Sequence, residues 1–204
     1  MNLTQPSKYK LSLTAASLSI SESVMIAEVY RKCRDWDQTK QLINDTNLLQ
    51  SRTKSRSERT ARELMARLAL LTDAQLELLV DGSLIEQKYV LWLAVCKTYA
   101  FIKEFATEVL HEKYLSRSMK ITSLDYDSFY NRKAGWNDDL ARIAASTSQK
   151  IRQVTFLMMR EAGLITDDNT ILRAMFSNRL IEVLKPEAPG SFHIFPLEPT
   201  EIQG

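Results

Sequence analysis

A cluster of polar and basic side chains opens a predicted helix in the carboxyl-terminal third of the 204-residue chain. Its members are Ser148, Gln149, Lys150, Arg152 and Gln153. Glutamine amides hydrogen-bond to base edges in the major groove of DNA, and lysine and arginine neutralise backbone phosphates. Apolar Ile151 lies among them and Val154 follows them, and together these two predict a buried face, which turns Gln149, Arg152 and Gln153 toward solvent. This group therefore has the chemistry needed to bind double-stranded DNA.

A second group of basic residues surrounds another predicted helix start. Its members are Arg52, Lys54, Arg56 and Arg59. Ser55 and Glu58 have capping-box spacing and predict a helix from Arg56 to Leu71 that buries Leu64, Leu68 and Leu71. Free backbone N–H groups at a helix start favour an anion, so a phosphate would fit there. The alternative is a solvated loop, followed by a helix with surface Glu–Arg pairs.

The first group is positioned by a predicted helix-turn-helix between Trp136 and Thr166. Asn137 caps a short helix, Ser146-Thr147-Ser148 form a break, and a second helix ends at Gly163 in the left-handed conformation. Leu164 and Ile165 could then begin the first strand of a wing. A second helix held by a short first one can lie in a DNA major groove. An ordinary helical hairpin within a bundle is the alternative interpretation.

Four capping patterns divide the amino-terminal half into further helices. They pair Ser19 with Glu22, Asp35 with Gln38, Thr72 with Gln75, and Ser83 with Glu86. Trp36 is expected to pack where the first two helices meet. The third helix ends at Gly82, and the fourth continues to about Tyr114 as the centre of a bundle.

The remaining segments are predicted from turn residues and alternation. They comprise a short extended segment at Lys8–Leu18, a linker at Leu115–Ser123, helices at Asp125–Lys133 and Ile171–Leu184, and a strand at Ser191–Leu197 that could pair with Leu164–Ile165.

Composition favours a mainly helical, all-α globular protein, because 45% of residues are hydrophobic and only five are glycine and five proline. We predict a helical bundle domain over residues 1–116 and a helix-turn-helix, winged-helix-like domain over 117–204, with at most a short β-hairpin. The net charge of +2 is small. However, residues 50–67 and 115–160 each carry a formal +4, which leaves −6 for the rest of the chain. Such concentration of positive charge suits polyanion binding.

Several function classes lack the residues that they require. His111-Glu112 begins like a zinc-protease motif, but Leu115 stands where the second histidine would be, and no glycine-rich phosphate loop occurs. We therefore expect no catalytic residues, no bound metal and no cofactor. Cys33 and Cys96 are expected to be reduced core residues of a cytoplasmic protein, with a disulfide as the alternative. The longest apolar stretch, Tyr89–Ile102, is too short to span a membrane.

Several short motifs together resemble the BrxA family of the BREX bacteriophage-defence systems. They are Glu22 with Ala27, Asp35-Trp36, Asn47-Leu48-Leu49-Gln50, Arg52-Thr53, Ser57 with Arg59, Arg62-Glu63, and Arg160-Glu161-Ala162-Gly163-Leu164-Ile165. The resemblance implies a small non-enzymatic component that acts beside larger BREX proteins, among them a methyltransferase and ATPases, in restricting phage and modifying host DNA.

Three hypotheses follow from the residues and the resemblance together. The first is a double-stranded DNA-binding accessory protein that uses the helix-turn-helix, helped by the Arg52–Arg67 region. The second is an RNA-binding helical protein with the arginine-rich helix start as its main site. The third is an assembly subunit that contacts other BREX proteins.

Overall fold

Helices form most of the computed structural model, which describes residues 9–10, 17–49 and 53–198. The helices are α1 (Ile20–Cys33), α2 (Trp36–Asp45), α3 (Lys54–Leu68), α4 (Asp73–Asp81), α5 (Leu84–Thr98), α6 (Ala100–Phe105), α7 (Glu112–Leu115), α8 (Ser123–Ala134), α9 (Asp138–Ala141), α10 (Ala145–Glu161) and α11 (Asn178–Leu184). A π-helical turn, Ala106–His111, joins α6 to α7, and a 3-10 turn, Lys185–Glu187, follows α11. The described ranges contain no β-strand, so the mainly all-α fold class is confirmed.

Local hydrogen bonds explain where several helices begin. The side chains of Thr72 and Ser83 each accept from the backbone N–H three residues later. In return, the side chains of Gln75 and Glu86 accept from the backbone N–H of the capping residue. Asp35 likewise accepts from the backbone of Gln38. These three predicted caps are confirmed. The predicted packing of Trp36 is also confirmed, because its ring stacks on Tyr30 with 3.9 Å between centroids.

Two predicted caps are wrong. Ser19 precedes α1 but has φ 50° and makes no side-chain capping bond. The preceding Leu18 is held by a long-range contact, because its N–H donates to Glu161 at 2.7 Å. In α3 the cap is Thr53 in place of Ser55, and its hydroxyl accepts from the Arg56 N–H at 3.3 Å.

The long helix predicted to reach Tyr114 is interrupted at Tyr99. This residue has φ −122° and ψ 95°, which ends α5 and starts α6 in a new direction. The apolar periodicity of the sequence continues through the break, so the break could not be predicted from that pattern. Beyond the break, Phe101 and Phe105 make edge-to-face contacts with Phe129 of α8, with 5.2 Å between centroids in each pair. The change of direction thus lets one continuous apolar stretch contact two sets of neighbours.

The end of the described chain packs back on α4 and α5. The Trp92 indole N–H donates to the Ile194 carbonyl at 2.9 Å, and Tyr89 contacts Phe195 edge-on. Glu187 accepts from Lys97 at 2.6 Å. Residues on both sides of position 116 therefore contribute to one continuous core. The proposed boundary between domains at that position remains a prediction.

The segments after α10 differ from the predictions. The helix expected over Ile171–Leu184 begins only at Asn178, after a cap by Ser177, and Ser191–Leu197 forms turns in place of a strand. Ile165 bridges antiparallel to Ile171, and not to the Ser191–Leu197 segment, because a turn with Asn169 at φ 64° reverses the chain between them. The extended segment predicted at Lys8–Leu18 lies mostly outside the described residues.

The predicted end of α10 at Gly163 is confirmed. Gly163 has φ +73°, its N–H donates to Arg160, and the Leu164 N–H donates to the Met159 carbonyl, both at 2.9 Å. This pair of bonds is the Schellman arrangement that ends many helices. It directs the chain from α10 into the turn that carries Asn169.

Gly163→Ala is expected to lower the free energy of unfolding by about 1 kcal/mol, because an L-residue is strained at this φ. The added Cβ would meet nothing within 4 Å, so the loss reports backbone strain alone. Thermal unfolding should show a fall in Tm of roughly 2–4 °C. Gly135→Ala is the control, because Gly135 has φ −62° and its Cβ would make an ordinary 3.5 Å contact. An equal fall in both variants would contradict this account.

Candidate nucleic-acid interface

Of the two helices around the first basic group, α9 begins where it was predicted and α10 begins earlier. Asn137 caps α9 as expected, accepting from the Leu140 N–H at 3.1 Å. The break, however, lies at residues 142–144, and α10 already starts at Ala145. The N–H groups of Thr147 and Ser148 donate to the Ala144 carbonyl at 2.9 and 3.0 Å. The predicted break at Ser146-Thr147-Ser148 is therefore wrong, and these hydroxyl residues form the first turn of α10.

α10 has one buried and one exposed face. Its buried residues are Ile151, Val154, Thr155, Phe156, Met158 and Met159. Gln149, Lys150 and Gln153 are exposed and Ser148 is half-buried. The predicted outward direction of Gln149 and Gln153 thus matches the geometry, and Lys150 is exposed beside them. The helix presents amide and ammonium groups to solvent and is fixed by its aliphatic and aromatic side.

Arg152 lies at the edge of the exposed face and is engaged by α8. Its Nη1 donates to both carboxylate oxygens of Asp127, at 3.1 and 3.3 Å, and 32% of the side chain is exposed. The expectation of an outward-facing Arg152 therefore needs correction. Because Asp127 is 25 residues earlier in another helix, local spacing contained no sign of the pair.

A small hairpin-like turn stands beside α10. Lys120 bridges to Thr170 and Ile165 bridges to Ile171, both antiparallel, so residues 170–171 lie between the other two segments. The turn is fixed by Asp168, which accepts from the hydroxyls of Thr166 and Thr170. These bonds lower the pKa of Asp168 to about 2, so its carboxylate stays ionised at neutral pH and pairs with Lys120.

A groove of about 290 Å³ runs along the same helix. Its lining residues are Ser123, Arg152, Gln153, Phe156, Arg160 and Asn169. Sequence reasoning did not assign Ser123, Arg160 or Asn169 to the site. The spacing of Arg152, Phe156 and Arg160, four residues apart, could have placed Arg160 on this stripe. The contributions of Ser123 from α8 and Asn169 from the turn could not be predicted from that spacing.

The second basic group is only partly accessible. Arg56 and Arg59 are exposed and line a polar cleft of about 360 Å³ with Thr53, Ser55 and Thr60. Lys54 lies in the first turn of α3, and Arg52 lies outside the described residues. Leu64, Leu68 and Leu71 are buried as predicted.

Arg67, at the other end of α3, does not belong to this accessible surface. It is 3% exposed, pairs with Glu63 at 3.4 Å and donates to the Ser17 carbonyl at 2.7 Å. Burial is the main cause that lowers the pKa of Arg67. The expected Arg52–Arg67 surface must therefore end before Arg67. The same Ser17–Leu18 segment contacts Glu161, so α3 and α10 are linked near their carboxyl-terminal ends, away from both basic groups.

Within the part of the chain that the structure describes, no three His, Cys, Asp or Glu side chains are placed so that they could hold a metal ion. His111 and His193 stack with 5.2 Å between centroids, and the His111 Nδ1 lies 2.7 Å from the Phe195 carbonyl. Cys33 and Cys96 are both free thiols, as predicted. Among the described helices, none combines the length and apolarity needed to cross a membrane.

Comparison with known proteins agrees with the resemblance noted in the sequence. A curated relative named "BREX protein BrxA", from Bacillus cereus (strain H3081.97), is 23% identical over 187 residues, covering 90% of this chain and 94% of the relative. A crystal structure of an uncharacterized protein from Magnetospirillum magneticum matches 93% of this chain and all of its own, with a TM-score of 0.79 and 19% identity, which shows a shared fold. The family model described as BrxA matches residues 7–188, and the chain belongs to the BrxA family.

Proposed function

We propose that this protein is a non-enzymatic, double-stranded DNA-binding accessory component of a BREX phage-defence system. Family membership supports the connection to BREX, since the curated relative carries that name. The DNA-binding part of the proposal rests on this chain's own surface. Other BREX proteins are its expected protein partners, and DNA is its expected ligand.

The exposed face of α10 is the observation that carries the proposal. Gln149 and Gln153 lie one turn apart on that face, and Lys150 is exposed beside them. Amide side chains can pair with adenine edges, and the ammonium group can neutralise a phosphate. Buried Ile151 and Met158 fix the helix against the core, so this face is held in one orientation.

The neighbours of α10 support a winged-helix interpretation. The short helix α9 precedes it, and the turn at residues 166–169 follows it, enclosed by the antiparallel bridge between Ile165 and Ile171. A recognition helix flanked in this way enters the major groove while adjacent segments contact the backbone. Lys120 lies in the segment that bridges to Thr170, where it pairs with Asp168 of the turn.

The start of α3 is proposed as a second, sequence-independent contact. Arg56 and Arg59 are exposed beside the hydroxyl groups of Thr53, Ser55 and Thr60. Guanidinium and hydroxyl donors commonly bind phosphate oxygens. Its contribution is expected to depend on salt and not on base sequence.

Competition between duplex DNA and structured RNA tests the proposal directly. Labelled random duplex DNA is bound to the purified chain, and unlabelled DNA or RNA hairpin of equal length is added. DNA is expected to displace the label at least about tenfold better, because a helix does not fit the narrow major groove of A-form RNA. Equal or better competition by RNA would contradict duplex DNA as the ligand and favour the RNA-binding hypothesis.

An assembly role is the second candidate function, and two exposed apolar residues favour it. Trp136 is 83% exposed after α8, and Leu124 is 74% exposed in its first turn. Tryptophan is enriched where proteins bind one another. Capture of purified BREX proteins by this chain, without measurable DNA binding at physiological salt, would favour assembly over the DNA proposal.

A further inference from the structure

The groove along α10 is bounded by two arginines on one stripe of the helix. Arg152 and Arg160 are eight residues apart, which is about 12 Å along the helix axis. Phe156 lies between them, Ser123 of α8 lies on one side, and Asn169 of the turn completes the lining. Of the described residues that line the groove, none is acidic.

The character of the lining favours an extended anion over a flat base. Phe156 is only 7% exposed, and its ring contacts Phe105 and Tyr126 beneath it, so it offers no open face for stacking. The polar groups around it are guanidinium, amide and hydroxyl, which bind phosphate oxygens well. The spacing of the arginines suits a chain of phosphates better than a single small ion.

Both arginines are held by groups that leave hydrogen-bond donors available. Both oxygens of Asp127 contact the same nitrogen of Arg152, Nη1, and Arg160 uses Nη2 to donate to Asn169 at 2.6 Å. A guanidinium has five N–H donors, so neither contact uses them all. The Arg152–Asp127 pair is also partly exposed, at 32% and 50%, and such pairs contribute little to stability. Replacing the Asp127 carboxylate by another anion at Arg152 therefore costs little free energy.

We propose that this groove holds the phosphodiester backbone of one DNA strand, and that Arg152 exchanges Asp127 for a phosphate when the strand enters. The inference rests on the proposed function and extends it from the amino-terminal half of α10 to Arg160, Ser123 and Asn169. In the free protein the Asp127 carboxylate makes the contact with Arg152 that a phosphate would make. It thereby orients Arg152 and also competes with DNA for it.

Asp127→Asn is expected to bind random duplex DNA about two- to fivefold more tightly than the unmodified chain, because a competing carboxylate is removed. Asp73→Asn is the matched control. Asp73 is also exposed and pairs with an arginine of another helix, Arg34 at 3.2 Å, and the substitution makes the same change in net charge. The control should change affinity by less than about twofold, since any effect there is long-range and screened by salt.

Ser123→Glu tests the side of the groove that α8 forms. Ser123 is the exposed first residue of α8, where an acidic residue favours the helix, so folding should be preserved. The new carboxylate should repel the phosphates and lower affinity by on the order of tenfold at low salt. Ser123→Gln adds the same bulk without the charge, and Ser123→Glu should bind more weakly than Ser123→Gln, so the difference in affinity between the two variants measures the effect of the charge. Circular dichroism melting confirms that both variants are folded.

These outcomes separate the groove from the wider proposal. If the unmodified chain binds duplex DNA but Ser123→Glu and Ser123→Gln have the same affinity as each other, the added charge has no effect and the groove is not a backbone site. If Asp127→Asn and Asp73→Asn have the same effect, the exchange of Asp127 for phosphate is overturned. If the unmodified chain has no affinity for duplex DNA, the proposed function itself fails and the groove assignment with it.

Discussion

Replacement of Lys150 by Glu together with Arg152 by Gln is expected to weaken binding to random duplex DNA on the order of 100-fold at low salt. Lys150 is exposed and Arg152 lies at the edge of the same face. The double variant removes two phosphate contacts and adds one repulsive charge. Glutamine is used at position 152 because a glutamate there would face Asp127, which now contacts Arg152 at 3.1 Å. A fluorescence anisotropy titration measures the change.

A matched double variant separates a local effect from a general change in charge. Lys40→Glu with Arg31→Gln makes the same change of net charge on α1 and α2. Lys40 is exposed, and Arg31 pairs with Asp81 at 2.7 Å with exposed fractions of 37% and 50%, close to those of Arg152 and Asp127. This control should lose less than about threefold in affinity, through screened long-range attraction alone. Equal losses in both double variants would rule out α10 as the binding helix.

Trp92→Ala is expected to lower the free energy of unfolding by about 3–5 kcal/mol. Trp92 is fully buried in α5, and its indole N–H is bonded to the Ile194 carbonyl at 2.9 Å. Truncation leaves a large cavity and also removes the donor from a buried carbonyl. Urea unfolding followed by circular dichroism should show a much lower midpoint with an unchanged slope.

Trp92→Phe is the control for the cavity. It keeps most of the aromatic volume but lacks the indole N–H, so its loss should be roughly half or less of that of Trp92→Ala. The number of transitions is also informative, because Trp92 and Ile194 lie on opposite sides of the boundary predicted at residue 116. A single transition, moved as a whole by Trp92→Ala, is expected from their shared core. Two separate transitions, of which only one moves, would contradict that coupling.

Sequence reasoning succeeded where a structure depends on residues close together in the chain. Reciprocal caps such as Thr72 with Gln75 involve one helical turn, so their spacing contains the needed information. The end of α10 at Gly163 is equally local, because glycine has no Cβ and adopts a φ of +73° at no steric cost. The exposure of Gln149 and Gln153 followed from the burial of Ile151 and Val154.

Sequence reasoning failed where the local conformation involves contacts between distant segments. The residue before the Ser19 cap, Leu18, is bonded to Glu161, and these residues are 143 positions apart. Tyr99 is fully buried and interrupts an apolar pattern that itself shows no break. The burial of Arg67 against Ser17 and the pairing of Arg152 with Asp127 depend on how the helices pack against one another. Residue spacing within a helix does not reveal that packing. The composition of the groove beside α10 was missed for the same reason.

The salt dependence of DNA binding tests the central claim most directly. The association constant of random duplex DNA is measured from about 50 to 200 mM salt for the unmodified chain and for the Lys150→Glu, Arg152→Gln variant. If each residue neutralises one phosphate, the slope of log K against log salt should be about 1.8 shallower in the variant. Parallel lines for the two proteins, or no binding by the unmodified chain, would contradict the claim that this face of α10 binds DNA.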